Sequence, residues 1–308
     1  MKTDENRKVC LVTGGSGLVG SHLKDILPEA VYVSSNEFDL TDMQDVYQMM
    51  DTYRPNTVVH LAARVGGIID NINHPVEYLE ENVLMNTNVL KAAHEFNVER
   101  LIGVLSTCIY PDVVDTYPMK EEDLFDGPPT PTNFSYGFAK RCMAVHIDSY
   151  VKQYDKKWCY LTPCNLYSEY DKYTHHNSHF VSALIRKLYE ADDEMWLYGT
   201  GKPLRQFMYG GDLAKVIKYM IDNDIVDNFN VAPSEVYSIR EIAEIAKSAT
   251  NKKNVSIRFD SEKPDGQYRK DVDSSKLLNT LNQDFKFTSL KKGVAKVYDI
   301  FSKRHNRQ

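Results

Sequence analysis

Short runs of apolar residues alternate with longer amphipathic segments through the first half of the chain. We interpret the short runs as buried strands, because apolar runs of this kind bounded by turn residues are typical of strands in a parallel sheet. The longer segments repeat their apolar residues at helical spacing. The pattern predicts strands at residues 8–13, 31–33, 57–61, 101–105 and 158–162, and helices at residues 18–27, 41–53, 81–96 and 136–154.

From about Pro163 the chain changes to polar loops rich in His, Asn and Tyr, with helices predicted at 180–189 and 212–221 and two more after Ser238. Strands that alternate with helices indicate a doubly wound, Rossmann-type α/β fold with a parallel sheet, followed here by a smaller C-terminal α/β lobe. We expect one lobe at residues 1–165, with a returning segment near 208–235, and a second lobe at 166–308.

A glycine-rich segment, Thr13 to Gly20, follows the first predicted strand and opens the first helix. Gly14, Gly17 and Gly20 are spaced three residues apart, and Gly15 starts an overlapping register. Glycines at such positions permit a tight turn and let backbone N–H groups and the helix N-terminus approach a pyrophosphate. A structural turn can produce the same motif, but its place in the first βα unit predicts dinucleotide binding.

The residues after the second strand bear on the choice between NAD and NADP. An NAD-specific fold usually carries an acidic residue about 20 residues beyond the glycines. Here the strand ends in residues 34–36, Ser-Ser-Asn, and Glu37 and Asp39 come past its end. With no carboxylate at the strand tip to repel a 2′-phosphate, we expect NADP(H). No Arg or Lys follows nearby, and Arg64 supplies a charge only if the fold brings it there.

Tyr136 and Lys140 are four residues apart on a predicted helix and therefore share a face. A phenol is a poor acid or base at neutral pH unless a cation lowers its pKa, which Lys140 can do. Such a pair is common by chance on an exposed helix. However, about 30 residues upstream Ser106 follows the fourth strand, at the sheet edge where open α/β sheets hold their sites. The combination predicts a reductase site.

The composition excludes several classes of partner. The chain has 42% hydrophobic and 26% charged residues and a formal net charge of -6, which argues against a nucleic-acid surface. No stretch approaches the ~20 apolar residues of a membrane span, and no apolar run before the first strand marks a signal peptide. The five cysteines are scattered and lack metal-type spacing. We therefore expect free thiols, a cytoplasmic location and no membrane partner.

Motifs along almost the whole chain resemble the GDP-L-fucose synthases, the GDP-4-keto-6-deoxy-mannose 3,5-epimerase-4-reductases of the extended short-chain dehydrogenase/reductase family. The most telling is Leu105-Ser-Thr-Cys-Ile-Tyr-Pro111, because most relatives in that superfamily lack a cysteine there. The matching segments are residues 12–20, 60–67, 105–111, 136–140, 177–179, 205–207 and 263–267.

The resemblance implies two sets of catalytic residues. Ser106, Tyr136 and Lys140 match the reductase triad, and Cys108 and His179 match the residues that carry out epimerisation. A C4 ketone acidifies the protons at C3 and C5, so a base on one side and an acid on the other can invert each carbon through an enolate. Cys108 as base needs a thiolate, and His179 is suited to acid work near neutrality. A lone cysteine after a buried strand is otherwise more often a core residue.

The resemblance also implies residues that bind an NADP(H) cofactor in the first lobe and a GDP-4-keto sugar in the second. The expected cofactor contacts are Gly14, Gly17, Leu18, Val19, Asp39, Leu40, Leu61, Ala62, Ala63, Tyr136, Lys140, Pro163 and His179. The expected substrate contacts are Asn165, Lys187, Tyr198, Arg205 and Lys270, with the two last matching basic positions expected near the diphosphate.

His175, His176 and His179 are close enough in sequence to suggest a metal site. No helical Glu partner or Cys cluster accompanies them, and the family needs no metal, so we expect none.

The sequence departs from the family at Ser168 and Glu169, which replace the usual Gly-Pro and are expected to reshape the sugar pocket. This leaves open a C4-reductase of another GDP-4-keto sugar, such as a GDP-4-keto-heptose, with little or no epimerase activity. A sugar-nucleotide 4-epimerase that holds NAD tightly and a non-catalytic NADP-sensing protein are further alternatives. Family members are commonly dimers through a four-helix contact, which the helices at 81–96 and 136–154 would supply.

Overall fold

The computed structural model of the protein describes residues 8–174, 178–263, 265–281 and 283–305. His175, His176 and Asn177, which the sequence singled out, lie outside the described residues, as does Pro264 of the 263–267 motif. None of the helices within these ranges is long and apolar enough to cross a membrane.

The strands within these ranges are β1 (Cys10–Thr13), β2 (Val31–Val33), β3 (Thr57–His60), β4 (Arg100–Val104), β5 (Lys157–Pro163), β6 (Asn165–Tyr167), β7 (Glu194–Tyr198), β8 (Leu204–Arg205), β9 (Phe207–Tyr209), β10 (Phe229–Val231), β11 (Tyr237–Ser238), β12 (Ser256–Asp260) and β13 (Arg269–Lys270). The α-helices are α1 (Leu18–Ile26), α2 (Met43–Tyr53), α3 (Ile68–Asn73), α4 (Pro75–Glu95), α5 (Phe134–Tyr154), α6 (Phe180–Glu190), α7 (Gly210–Asp222), α8 (Ile239–Ala249), α9 (Ser275–Thr280) and α10 (Leu290–His305). Three 3-10 helices occupy Thr107–Ile109, Glu121–Phe125 and Pro131–Asn133.

Six strands form one parallel sheet in the order β10-β5-β4-β3-β1-β2. The strand order reverses between β1 and β3, and open sheets of this kind bind ligands in a crevice at such a switch point, beyond the carboxyl ends of the strands. The helices α4 and α5 pack together, as do α1 and α7. The predicted Rossmann-type fold is confirmed, and its carboxyl edge is where the candidate site residues collect.

The hydrophobic pattern located the five predicted strands and the helices between them to within a few residues. The helix predicted from residue 81 begins at Pro75, whose fixed φ suits the first turn. One expectation was wrong: after Ser238 the described residues contain three helices rather than two. The segment expected to return near 208–235 does so as β10, which pairs with β5 at the edge of the sheet.

The second half of the chain builds a separate apolar core from α6, α8 and α10 and small sheets, β11-β8-β13 and β12-β7. Helix α8 begins with a capping box, in which Ser238 and Glu241 each bond the other's backbone N–H group. A parallel pair, β6 with β9, joins this lobe to the end of β5. The second lobe is thus continuous with the central sheet.

Ser168 and Glu169, which the sequence analysis expected to reshape the sugar pocket, lie between the two lobes. The Ser168 hydroxyl is 2.7 Å from Nε2 of His22 on α1. The carboxylate of Glu169 accepts hydrogen bonds from the Tyr209 hydroxyl at 2.8 and 2.9 Å and pairs with Lys296 of α10 at 3.3 Å. Both residues are buried. Their side chains therefore fix α1 against the second lobe.

Candidate active site

The glycine loop between β1 and α1 leaves space where a side chain would otherwise stand. Gly14 has φ +71°, and a Cβ there would lie 2.8 Å from the backbone nitrogen of Ala62. A Cβ on Gly20 would lie 2.6 Å from the Gly14 carbonyl oxygen. Leu18 and Val19 form the first residues of α1 beyond this turn. The loop therefore has the shape of a pyrophosphate cradle at a helix N-terminus.

Other expected cofactor residues border the same crevice. Leu61 follows β3 and donates its N–H group to the Thr13 carbonyl at 3.3 Å, which holds Ala62 and Ala63 beside the glycine loop. Pro163 ends β5 at the carboxyl edge of the sheet. The fold thus gathers residues from three separate strand ends.

An acidic side chain does stand at the tip of β2, and the prediction of none there is wrong. The chain turns back after the strand, so the Glu37 carboxylate accepts hydrogen bonds from both the N–H and the hydroxyl of Ser34, each at 2.9 Å. Asp39 is engaged with Thr41, whose N–H and hydroxyl lower the pKa of the Asp39 carboxyl. Leu40 is buried behind it.

Arg64 does not supply a charge at this strand tip. Its guanidinium pairs with Glu81 of α4 at 2.5 Å and lies 5.2 Å over the ring of Tyr78. The ring of Tyr78 in turn meets Tyr136 edge-on, with ring centroids 6.2 Å apart. Arg64 therefore lies on the side of the crevice that holds the predicted catalytic residues.

Tyr136, Lys140 and Ser106 come together at the end of β4, as the sequence predicted. Lys140 is fully buried and its ammonium donates a hydrogen bond of 2.9 Å to the Val104 carbonyl. Ser106 caps the 3-10 helix Thr107–Ile109 and hydrogen-bonds the Tyr136 phenol. The three side chains form a hydroxyl, phenol and ammonium group on one strand end and one helix.

The pKa values of this group differ from the expectation that Lys140 lowers the pKa of Tyr136. Burial raises the pKa of Tyr136, and Cys108 raises it further, against a smaller lowering by Ser106. Burial lowers the pKa of Lys140 to about 8. Tyr136 is consequently a protonated phenol at neutral pH, which is the form that can give a proton to an alkoxide.

Gly137 lets α5 approach the segment that carries Cys108, a role that the sequence analysis did not identify. A Cβ at Gly137 would lie 2.5 Å from the Cys108 carbonyl oxygen and 2.8 Å from Cβ of Pro129. Any larger residue would push the first turn of α5 away from the 3-10 helix. The Tyr-Gly dipeptide in the matching segment was the available signal.

The sulfur of Cys108 receives two side-chain donors. Lys270 Nζ lies 2.8 Å from Sγ, and Asn133 Nδ2 lies 2.7 Å from it. Burial by itself raises the pKa of the thiol, but the charge of Lys270 and hydrogen bonds from Lys270, Ser106 and Asn133 outweigh it, so the pKa lies below its ordinary value. Asn133 was missed by the sequence analysis, and Lys270 was expected at the diphosphate instead.

His179 has a carboxylate partner that the sequence analysis also missed. Nδ1 of His179 lies 3.0 Å from Oδ1 and 3.1 Å from Oδ2 of Asp171. Burial opposes the charged imidazole, but the hydrogen bond and charge of Asp171 prevail and raise the pKa of His179. The side chain of His179 is 39% exposed whereas that of Asp171 is 5% exposed. Asp171 therefore orients the accessible imidazole from behind and favours its protonated form.

Loops after β3 connect these groups. The Ser178 carbonyl oxygen, next to His179, lies 3.8 Å from the position of a Cβ on Gly67, and Ile68 packs as close as 3.1 Å to such a position on Gly266. The start of α6 and the 265–267 loop therefore approach the same segment behind β3.

Tyr198 and Lys187, two of the expected substrate residues of the second lobe, lie together at an exposed aromatic ring. Tyr198 is 62% exposed, and its ring has Lys187 Nζ 5.4 Å and Lys263 Nζ 5.9 Å from its centroid. Burial lowers the pKa of Lys187. An exposed ring between two cationic side chains suits a base that stacks and an anion beside it.

Arg205 lies between this ring and Cys108. It donates hydrogen bonds to the carbonyls of Leu204 and Gln267, at 2.8 and 2.5 Å. Gln267 in turn donates a hydrogen bond of 3.1 Å to the carbonyl of Pro111, in the segment after Cys108. Burial lowers the pKa of Arg205. The 265–267 loop therefore holds Arg205 next to the first lobe.

Asp265 and Asn165 make hydrogen bonds next to Tyr198 and next to Arg205, respectively. The Asp265 carboxylate accepts from the N–H and hydroxyl of Thr200, at 2.6 and 2.7 Å, beside Tyr198. Asn165 donates a hydrogen bond of 2.9 Å to the carbonyl of Gln206, next to Arg205. A cavity of about 770 Å³ adjoins the region and is lined in part by Thr130, Gly266 and Arg269. Within the described residues, no group of three His, Cys, Asp or Glu side chains could hold a metal ion.

Comparisons with known proteins match this arrangement. The model of the NAD dependent epimerase/dehydratase family matches residues 10–232. A GDP-L-fucose synthase of Dictyostelium discoideum is 36% identical over 307 residues, covering 96% of this chain and 95% of that protein.

Solved structures agree. A GDP-L-fucose synthetase of Naegleria fowleri bound to NADP is 30% identical, with a TM-score of 0.86 over 99% of this chain and 96% of that one. A GDP-mannoheptose C4 reductase of Campylobacter jejuni with NADP bound has a TM-score of 0.84 but is 24% identical, covering 97% and 100% of the two chains. The second likeness shows the fold alone.

Proposed function

We propose, on the premise that the chain belongs to the NAD dependent epimerase/dehydratase family and within it to the GDP-L-fucose synthases, that it epimerises C3 and C5 of a GDP-4-keto-6-deoxy-hexose and reduces C4 with NADPH. The observation that carries the proposal is that the Cys108 sulfur receives hydrogen bonds from Lys270 and Asn133 beside the Ser106, Tyr136 and Lys140 group, and these donors lower the pKa of the thiol. A simple reductase needs the latter group alone. The cysteine adds a base next to it.

The epimerisation uses Cys108 and His179. The Cys108 thiolate takes the proton from the sugar carbon, and the electron pair of that C–H bond moves into an enolate on the C4 oxygen. The His179 imidazolium then gives a proton to the opposite face of the carbon. Both groups recover their first protonation state by exchange with solvent before the second carbon is inverted. Asp171 favours the imidazolium form that this step needs.

The reduction uses Tyr136 and Lys140. NADPH, when bound, supplies a hydride to C4. Tyr136 gives its phenolic proton to the resulting alkoxide, and its raised pKa ensures that the proton is present. Ser106 orients the phenol through their hydrogen bond. Lys140, held by the Val104 carbonyl, contributes the cation of the group.

The same geometry supports separate binding positions for the guanine and the diphosphate of a nucleotide-sugar along the second lobe. Tyr198 offers a stacking surface for the guanine, Lys187 and Arg205 provide cations for the diphosphate, and Asn165 lies where the chain enters that lobe. The loop from Asp265 to Gln267 connects the two regions, because Asp265 bonds Thr200 near this ring and Gln267 bonds Pro111 in the segment after Cys108.

The cofactor assignment rests on the glycine cradle and on the relatives. The space that Gly14 and Gly20 keep free accommodates a dinucleotide pyrophosphate. The related synthetase of Naegleria fowleri binds NADP. Glu37 at the tip of β2 does not exclude a 2′-phosphate, but its carboxylate opposes one.

Homodimer formation through α4 and α5 remains part of the proposal. Val76, Leu79 and Leu84 on α4 and Phe138 and Val145 on α5 are large apolar side chains exposed to solvent. A second copy of the chain would cover such a surface. A cytoplasmic location is likewise proposed, because the free thiols require a reducing compartment.

The deciding experiment is turnover of GDP-4-keto-6-deoxy-mannose with NADPH in deuterated water, with the product read by NMR. We expect deuterium at C3 and C5 and one NADPH oxidised for each product molecule. Reduction at C4 without deuterium at either carbon would support the reductase of another GDP-4-keto sugar instead.

A second arm tests the reductase group. Tyr136→Phe is expected to lower kcat for reduction by roughly 10²- to 10⁴-fold while NADPH binding persists, because the phenolic proton is lost but the cradle is intact. Tyr154→Phe, at the far end of the same helix, serves as the matched control. Unchanged turnover in Tyr136→Phe would contradict the mechanism.

A further inference from the structure

Lys270 is a buried lysine whose ammonium is aimed at a sulfur atom. It lies on β13, it is 6% exposed, and its Nζ is 2.8 Å from Sγ of Cys108. A buried ammonium group is costly unless an anion or strong acceptor compensates its charge. A neutral thiol is a weak acceptor, whereas a thiolate satisfies the cation. The contact therefore fits an ammonium–thiolate pair.

Asn133 supports the same protonation state from another element. It ends the 3-10 helix Pro131–Asn133, and its Nδ2, which can only donate, lies 2.7 Å from the same sulfur. The backbone N–H of Cys108 is directed to the Ser106 hydroxyl at 3.3 Å. Two side-chain donors thus converge on one sulfur, which stabilises negative charge there.

The strand register separates the roles of two neighbouring cations. Lys270 pairs with Arg205 across the parallel strands β13 and β8, so their side chains start side by side. The Arg205 guanidinium donates to the carbonyls of Leu204, Gln267 and Tyr268, whereas the Lys270 ammonium donates to the sulfur of Cys108. Arg269, the next residue, is engaged with Asp271.

We propose that Lys270 is a positioning residue that keeps Cys108 as a thiolate for deprotonation at C3 and C5, rather than a clamp for the diphosphate of the substrate. This rests on the proposed function for the reaction that the thiolate serves. The titratable groups that face the sulfur are the cations Lys270 and Arg205 and the neutral phenol of Tyr136, and among them Lys270 hydrogen-bonds it. In the step itself, the S–H bond forms as the C–H bond breaks, and the electron pair stays on the enolate.

The test measures the reactivity of the thiol without any sugar present. Full-length protein is alkylated with iodoacetamide across a pH series, and modification at Cys108 is followed by peptide mass spectrometry. In the wild type we expect the midpoint for Cys108 below the value of about 8.5 for an ordinary thiol. In Lys270→Met we expect it to rise by about 1 to 3 pH units, because an opposite charge next to a titrating group shifts its pKa by that amount.

Two further variants make the test specific. Lys270→Arg keeps the positive charge and is expected to retain most of the lowered midpoint. Lys291→Met, at an exposed position on α10, is the matched control and should leave the midpoint unchanged. The dissociation constant of GDP is measured for each protein, and we expect Lys270→Met to leave it unaltered.

The outcomes separate this inference from the proposed function. A wild-type midpoint at or above that of an ordinary thiol would overturn the inference even if Lys270→Met does not fold. An unchanged midpoint with weakened GDP binding in Lys270→Met would make Lys270 a diphosphate clamp. If the wild type has a low midpoint but does not turn over GDP-4-keto-6-deoxy-mannose, the proposed function fails while the ammonium–thiolate pair stands.

Discussion

Both carboxylate oxygens of Asp171 lie within 3.1 Å of Nδ1 of His179. The carboxylate is almost fully buried, and it also accepts a hydrogen bond from Ser182 of α6. It is therefore fixed in place and holds the imidazole with Nδ1 inward. The other ring nitrogen is left to act on a substrate.

Removing this carboxylate should shift the pH dependence of epimerisation. Asp171 raises the pKa of His179, so Asp171→Asn lowers it, and the imidazolium acid is lost at a lower pH. We expect the alkaline limb of deuterium incorporation at C3 and C5 to move down by about one pH unit, which is a loss of about tenfold on that limb. Asp192→Asn, at an exposed position, is the control. An unchanged profile would show that Asp171 does not act through His179.

Glu37 should weaken the preference for NADPH over NADH. Its carboxylate occupies the N–H and hydroxyl of Ser34 at the tip of β2, where it repels a 2′-phosphate. Glu37→Gln removes the charge at nearly constant shape, so the ratio of kcat/KM for NADPH to that for NADH should rise several-fold, about the effect of one exposed charge. The measurement is initial rates with both cofactors, and Glu235→Gln is the control at a remote exposed site. A ratio that stays constant would mean that the phosphate binds elsewhere.

Gly137→Ala should damage both stability and catalysis. The added Cβ would meet the Cys108 carbonyl at 2.5 Å, so α5 and the 3-10 helix must separate. We expect a loss of about 1–3 kcal/mol in the free energy of unfolding, as for overpacking of a close contact, together with a fall in turnover. Denaturant unfolding and steady-state rates measure these effects. Gly127→Ala, where the nearest atom is 3.3 Å away, should be tolerated, and equal losses in the two variants would argue against a specific close approach.

His60 should make the fold sensitive to acid. It is fully buried, its Nδ1 is 2.7 Å from the Thr13 hydroxyl, and burial lowers its pKa to about 3. The unfolded chain binds a proton at about pH 6.5, so the stability from the neutral ring is complete above that pH and is lost as the pH falls towards 3.

A side chain that cannot take a proton should remove this dependence. The slope of the unfolding free energy against pH between 6.5 and 4 should be smaller in His60→Gln by up to about 1.4 kcal/mol per pH unit, the effect of one proton. Urea unfolding across the pH series measures the slope, with His305→Gln as the control. Parallel curves for wild type and His60→Gln would refute the assignment.

Local sequence pattern determined the elements and the order in which they occur. Apolar runs located β1 to β5, because a strand that is buried on both sides consists of apolar residues. Glycine spacing located the turn after β1, because Gly14 has no room for a Cβ. The placement of Tyr136 and Lys140 on one helix face and of Ser106 after a strand was equally readable.

Only the tertiary structure decided which distant side chains meet. Lys270 and Cys108 meet across 162 residues, because the packing of β13 against the segment after β4 sets that contact rather than the neighbours of either residue in sequence. Asp171 and His179 are eight residues apart and Glu37 and Ser34 three, and the shape of the local turn decides those two contacts. Ser168 and Glu169 show the same limit. The sequence associated them with the sugar pocket, whereas their side chains join a hydrogen-bond network between the lobes. The residue types of the candidate site could thus be identified from the sequence, whereas their protonation states depend on neighbours up to 162 residues away.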